Sequence, residues 1–185
     1  MPEAPHAALC GRCLRRPPPF ERALAVFRYA SPLDELVKAL KFHGRLAHAR
    51  LLGELLAAAA AGLPGPLPQG LIPVPLHRTR LAERGFNQAL EIARPVARAL
   101  DIPLAPGAAR RLRPTAAQTG LEPRQRRANV RGAFAIARLP PVRHVAIVDD
   151  VMTTGHTAAE LARALRRTGV RRVEVWCVAR AVTRG

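Results

Sequence analysis

A chain of 185 residues suffices for one α/β domain with a small appendage and a real buried core. Its hydrophobic share of 49% with only 4% aromatics implies an aliphatic, alanine-rich interior and excludes the disordered class. The net charge of +17, carried almost wholly by arginine because Lys38 and Lys41 are the only lysines, points to polyanionic partners: nucleic acid or phosphorylated small molecules. A codon bias explains arginine over lysine but not the scarcity of acids. The N-terminal MPEAPHAALC has an early acid and no apolar core, so it does not read as a secretory signal. The longest apolar run, Leu51 to Leu63, is interrupted by Glu54 and too short to span a bilayer, so no membrane insertion is expected. Three cysteines, an odd number, give no basis for a disulfide framework, and a cytoplasmic location follows as the expectation.

In chain order, residues 1–20 read as a separate segment and residues 21–185 as the main domain. The first segment holds Cys10-Gly-Arg-Cys13 and ends in the stiff Pro17-Pro18-Pro19 linker. A C-x-x-C knuckle supplies two of the four ligands a structural zinc needs, so Cys10 and Cys13 are half a metal site, with His6 a third candidate. A remnant is the simpler reading. Ala25 to Tyr29 reads as a short strand. After Ser31-Pro32, the spacing of Leu33, Leu36, Val37 and Leu40 predicts a helix with Asp34 and Glu35 in its first turn, ending near Lys41-Phe42-His43-Gly44. Lys38, Lys41 and His43 could face an anionic substrate, although solvated helix-end charges are the plainer reading. A second helix covers roughly Arg45 to Ala61.

Gly70 to Leu76 reads as the next strand, its two prolines excluding a long central ladder at that end. It leads into a basic loop, His77 to Gln88, entering a helix that runs to about Leu100. Arginine's planar fork suits pyrophosphate oxygens better than lysine does, which makes Arg78, Arg80 and Arg84 candidates for such a group. A solvated loop is the alternative for Arg78 and Arg80. Leu104 to Ala109 reads as a short strand. The arginine-rich segment 110–131 lacks a hydrophobic period, and an irregular stretch of that length is usually a lid or disordered. Ala133 to Ala137 is read as the strand that brings the chain back to the sheet.

The most informative stretch is VAIVDDVMTTGHT, residues 145–157. Val145 to Val148 form a β-branched apolar run, the pattern of a strand buried on both faces, which delivers Asp149 and Asp150 to the rim of a sheet. Val151 and Met152 lead into Thr153, Thr154, Gly155, His156 and Thr157, a small-residue turn whose N–H groups and hydroxyls can converge on an anion. Thr157 to Glu160 has the S/T-x-x-E capping pattern, and Ala158, Leu161, Ala162 and Leu165 supply the helical stripe. A phosphate at a helix N-terminus explains the turn but not the acids, because carboxylates repel phosphate. A ribose 5-phosphate answers both, its hydroxyls meeting Asp149 and Asp150 and its phosphate residues 153–157. After this helix, expected to stop at Thr168-Gly169, Val173 to Val178 reads as the final strand, with Cys177 a small buried core residue.

This stretch resembles the phosphoribosyl-pyrophosphate (PRPP) motif of the type I phosphoribosyltransferases. Together with KFHG at 41–44, PVPL at 73–76, RGFNQ at 84–88 and QTGLEPRQRRAN at 118–129, it resembles the ComF family, phosphoribosyltransferase-like proteins associated with natural competence and the uptake of single-stranded DNA. The resemblance implies a type I phosphoribosyltransferase fold, a mainly parallel sheet flanked by helices. It implies magnesium with PRPP and an unknown acceptor: Asp149 and Asp150 on the ribose, residues 151–157 around the 5-phosphate, Arg84 with Arg78 and Arg80 on the pyrophosphate. It also implies a lid with Gln118, Arg124 and Asn129 as candidate contacts. The family's N-terminal zinc ribbon has two C-x-x-C pairs where this chain shows only Cys10 and Cys13. Salvage enzymes of this fold commonly recognise their base with elements after the last core strand. Here an acceptor is expected on the N-terminal helices, residues 31–62. The alternative is a non-catalytic competence accessory protein, with a regulatory PRPP-like site and a basic face for single-stranded DNA or partner proteins; an oligomer is open in either case.

Overall fold

The alternation of one strand divides the core in two. In the structure, a computed structural model that describes residues 11–114, 131–139 and 141–181, that strand is β5, His144–Met152. Val145 and Ile147 point into one core, shared with Leu161 and Leu165 of the helix that follows. Ala146 and Val148 point into the other, shared with Val37, Leu40, Leu52, Leu56, Ile92 and Val96. Residues 145–148 have no exposed surface, as the β-branched run predicts for a strand covered on both faces.

The elements run α1 (Gly11–Arg15), β1 (Arg22–Arg28), α2 (Leu33–His43), α3 (Leu46–Ala61), β2 (Leu71–Pro73), α4 (Arg78–Arg84), α5 (Gln88–Leu100), β3 (Ala109–Arg111), β4 (Phe134–Ile136), β5, α6 (His156–Arg166) and β6 (Arg172–Arg180). The central sheet is parallel, in the order β1-β6-β5-β2. Leu104 adds a single parallel bridge outside Leu71. Helices α2, α3 and α5 cover one face and α6 the other, so the α/β class read from the sequence holds.

Several local expectations change. The strand expected over Gly70 to Leu76 keeps only Leu71–Pro73, because Pro73 and Pro75 carry no N–H for a ladder. The strand expected at Leu104 to Ala109 shifts to Ala109–Arg111, and β4 pairs antiparallel with it in a separate two-stranded ribbon instead of rejoining the sheet. The basic loop after β2 is largely helical: α4 ends at Gly85, in the left-handed region at φ 80°, before Asn87 caps α5 by accepting the Ala89 N–H. The segment 115–130, with Gln118, Arg124 and Asn129, lies outside the described residues, as do His6 and Cys10.

The topology places a crevice. From β2 the chain travels through α5 to Leu104, on the outer side of Leu71, whereas from β5 it travels through α6 to β6, on the opposite side. Ligands of open α/β sheets bind outside the carboxyl ends of strands at such a reversal. That crevice is flanked by residues 74–88 and 149–157. At the other end of the sheet, fully buried Glu174 accepts from Trp176 Nε1 (3.0 Å) and Arg172 (2.9 Å) and meets His144 Nε2 at 3.2 Å.

Candidate functional site

Two acids end β5, and successive strand residues face opposite sides. Asp150 therefore shares the parity of Ala146 and Val148 and turns toward α2, where the Lys41 ammonium lies 2.6 Å from its Oδ2. Asp150 is only 4% exposed. Its Oδ1 accepts the Val151 N–H at 2.7 Å, while its Oδ2 makes the ion contact with the ammonium. Asp149 faces the other way, keeps partial exposure, and accepts the Asp150 N–H at 2.9 Å. The adjacent acids thus straddle the rim of the sheet, not side by side on one surface.

The charges respond to this crowding. Protein packed about Asp149, and then the Asp150 carboxylate, push its acid well above the ordinary carboxylate range; Lys41 pulls the other way. Burial alone would lower the Lys41 pKa, but Asp150 and Asp149 together outweigh it and raise it, so the ammonium stays protonated. Two arginines flank the pair. Arg84, at the end of α4, is lowered by burial and raised by the field of Asp150, and Arg80 next to it lowers it again. Arg111 of β3 is lowered by burial and raised by Asp149. Lys41 is thus shared by both acids, while Arg84 lies in the field of Asp150 and Arg111 in that of Asp149.

The turn after β5 begins α6 two residues earlier than the Thr157 capping pattern predicts. Gly155 is the N-cap, in the left-handed region at φ 74°, which only glycine adopts cheaply. As a glycine, the N-cap residue offers no side chain of its own to the first-turn N–H groups. The expected pairing of Thr157 with Glu160 is replaced: Glu160 accepts the Gly132 N–H at 2.8 Å and pairs with Arg163 at 2.8 Å, holding the base of the segment that leads into β4. Thr153, Thr154, His156 and Thr157 are half-buried around the turn, and Thr154 Oγ1 lies 3.1 Å from His156 Nδ1. The helix dipole and first-turn N–H groups make this end suitable for a phosphate. Val151 is half-buried and Met152 buried, so they shape the strand end.

Of the three arginines singled out by sequence, Arg84 lies closest to the acids' influence. It donates to Gln88 Oε1 at 2.6 Å and lies 5.9 Å from the centroid of the Phe42 ring. Arg80 is exposed and pairs with Glu83 at 3.5 Å. Arg78 lines a different concavity, an open cleft of about 770 Å³ between the α4–α5 elbow and β3, with Leu81, Phe86, Arg110 and Arg111. That cleft does not contain Asp149 or Asp150, and Arg111 both lines it and lies within the field of Asp149.

Lys41 corrects the plainer sequence reading: it is no solvated helix-end charge but the counter-ion of a buried acid. Its signal was present in composition, since an arginine-biased chain keeps lysine at only two positions, Lys38 and Lys41. Arg111 was hidden at the start of the arginine-rich segment. Cys13 is half-buried in α1, and among the described residues no group of three or more His, Cys, Asp or Glu could hold a metal. Cys177 is buried beside Asp149 in the register of β5 and β6, and burial pushes its thiol up to about 12, which leaves it an unreactive core side chain. No helix among the described residues is long and apolar enough to cross a membrane.

Comparison with known proteins agrees with this geometry. Residues 87–184 match the family described as phosphoribosyl transferase domain. The chain is 42% identical over 186 residues to the DNA utilization protein YhgH of Shigella flexneri, covering 97% of this chain and 81% of that protein. It is 41% identical over 186 residues to YhgH of Escherichia coli K12, with the same coverage. Competence protein F of Haemophilus influenzae is 37% identical over 183 residues, covering 95% of this chain and 80% of the relative. With the acid-ended strand, the glycine-capped helix and these relatives in agreement, the chain belongs to the ComF family of phosphoribosyltransferase-like proteins.

Proposed function

We propose that the crevice between β2 and β5 binds magnesium-PRPP and transfers its phosphoribosyl group to an acceptor in DNA utilization. One observation carries this reading: an acid-ended strand runs directly into a helix N-terminus whose cap is a left-handed glycine, across the topological reversal from Arg84. The residues fit the ligand. Asp149 offers a partly exposed carboxylate to ribose hydroxyls, Gly155 and the first turn of α6 receive the 5-phosphate, and Arg84, backed by Arg80 and Arg111, meets the pyrophosphate. Asp150 is reached only if Lys41 moves aside; otherwise it acts by holding that ammonium at the rim.

Magnesium is a hard cation that binds through one or two carboxylates plus substrate phosphate oxygens, which Asp149 allows, and it would neutralise the departing pyrophosphate. In the transfer, a nucleophile forms a bond to C1 while the C1–O bond breaks and its electron pair leaves with pyrophosphate. The nucleophile's proton passes to solvent or to the leaving group. The cations at Arg84 and Arg111 are positioned for that developing charge.

Calorimetry with magnesium-PRPP tests the proposal, followed by pyrophosphate release across a panel of acceptors. Wild type should bind; Arg84→Ala should weaken binding by about tenfold or more, as expected for losing a charged contact, and Asp149→Ala/Asp150→Ala should abolish it. Absence of binding to wild type rejects the assignment. A second reading rests on the relatives named for DNA utilization and competence and on the charge of +17: the nucleotide site regulates while the basic surface contacts single-stranded DNA.

A further inference from the structure

Phe42 is the most exposed large apolar side chain among the described residues, at 71%. A phenyl ring held in water forgoes the burial that folding ordinarily gives it, and a single exposed apolar side chain is unremarked unless its neighbours give it a purpose. Here they do. Phe42 immediately follows Lys41, whose ammonium touches Asp150. Gly44, in the left-handed region at φ 62°, stops α2 two residues later, so the ring sits on the last turn of the helix. A Cβ on Gly44 would lie 3.9 Å from the Phe86 ring, which brings the α4–α5 elbow against the same turn. Arg84, held by Gln88, lies beside the Phe42 ring and within the field of Asp150. Arg84 is thus the common neighbour of the acid at the rim and the exposed ring.

The geometry points to Phe42 as the stacking platform for a planar nitrogen heterocycle, a nucleobase, joined or about to be joined to C1 of a ribose held at Asp149. This assignment rests on the sugar-phosphate reading of the site. A flat exposed ring flanked by a guanidinium suits a π-face, and stacking tolerates any base. Placing the platform on α2 gives the acceptor an N-terminal recognition element. It also makes Phe42 a base-binding residue that touches the base but no part of the sugar phosphate.

The test compares ribose 5-phosphate with the four ribonucleoside 5′-monophosphates, since the two ligand types differ only by the base. Wild type should bind at least one nucleotide more tightly than ribose 5-phosphate, by on the order of tenfold for one stacked base. Phe42→Ala should erase that difference and leave ribose 5-phosphate binding unchanged. Phe42→Trp provides a second readout: Trp176 is fully buried, so the added indole dominates quenching by a stacked base, and ribose 5-phosphate should leave it unquenched. If ribose 5-phosphate binds but nucleotides gain nothing, or Phe42→Ala keeps their advantage, the platform is refuted and the sugar-phosphate site stands. If ribose 5-phosphate fails to bind wild type, that reading falls and the platform's role falls with it.

Discussion

At the scale of single residues the site is a set of costs held in place by packing. Lys41 is the clearest case, its side chain 23% exposed against a carboxylate at 5%. Removing one partner of a buried pair is strongly destabilising because the other is left without compensation. Lys41→Met should therefore cost about 1–3 kcal/mol, below the range for fully buried pairs because water still reaches the ammonium. Lys41→Arg should not restore it, since a planar fork is a poor substitute for a compact charge in this slot. Urea unfolding at neutral pH measures both. The sign of the pH dependence follows from the raised Lys41 pKa: its contribution is complete below the unfolded value near 10.5 and fades as pH rises through the higher folded value. The deficit of Lys41→Met should accordingly be flat across neutral pH and narrow only in alkali. Asp149 carries the opposite sign. With its folded pKa raised by burial and by Asp150, the native state holds a proton that the unfolded state releases, so stability falls as pH climbs from about 4 toward the folded value. Asp149→Asn keeps the carbonyl that accepts the Asp150 N–H and removes that penalty. It should gain about 0.5–2 kcal/mol at neutral pH, the usual return on relieving a functional-site cost, while losing PRPP binding. Thermal melts across pH should show the gain vanish below pH 4; a variant no more stable at neutral pH would contradict the assigned cost.

At the scale of elements, tight helix packing supports the site. Helix α3 turns Ala49, Gly53, Ala57 and Ala60 toward its neighbours. At Gly53 a Cβ would lie 2.5 Å from the Ile92 carbonyl oxygen and also meet the Pro95 ring. That backbone cannot yield cheaply, so Gly53→Ala should destabilise by about 1–3 kcal/mol despite its better helix propensity, by overpacking the α3–α5 contact. The shift in denaturant midpoint reads it. What the sequence revealed sorts by distance along the chain. The run Val145 to Val148 showed a doubly covered strand because its four residues suffice for that inference, and the stripe Leu33, Val37, Leu40 showed α2 in the same way. The helix after Gly155 was legible, but its cap was not. A local S/T-x-x-E pattern cannot disclose that Glu160 finds a better partner in the Gly132 N–H, 28 residues away. Opposed facing of Asp149 and Asp150 follows from strand periodicity, yet the partners on each side, Lys41 and Arg111, come from elements more than 35 residues distant. Strand β4 was misplaced for the same reason: a three-residue apolar segment carries no signal for which edge it joins.

At the scale of the whole molecule, the charge of +17 is unevenly employed. Some arginines are structural: Arg172 serves the buried Glu174, and Arg166 and Arg172 both reach Glu21, tying the far end of the sheet together. Others, Arg78, Arg80 and Arg110, are exposed near the crevice and the cleft beside it, and among the described residues Arg80 alone of the three forms an ion pair, with Glu83. A surplus gathered around the proposed phosphate rim would steer anions inward at low ionic strength, and the same field would attract a nucleic-acid backbone. If single-stranded DNA lies on this side, its affinity is set by counterion release, and six or more contacted phosphates would weaken binding by about a thousandfold or more between 50 and 200 mM salt. Neutralising exposed arginines near the crevice should flatten that slope: Arg78→Gln/Arg110→Gln removes two candidate phosphate contacts and should reduce the slope by about two. Binding measured by fluorescence anisotropy of a labelled oligonucleotide over a salt series gives the slope directly. Because Arg78 and Arg110 lie on the cleft and not at the acids, PRPP binding should survive the double substitution. An unchanged salt slope would place any DNA contact elsewhere on the molecule, and no binding at low salt would remove the DNA-contacting role.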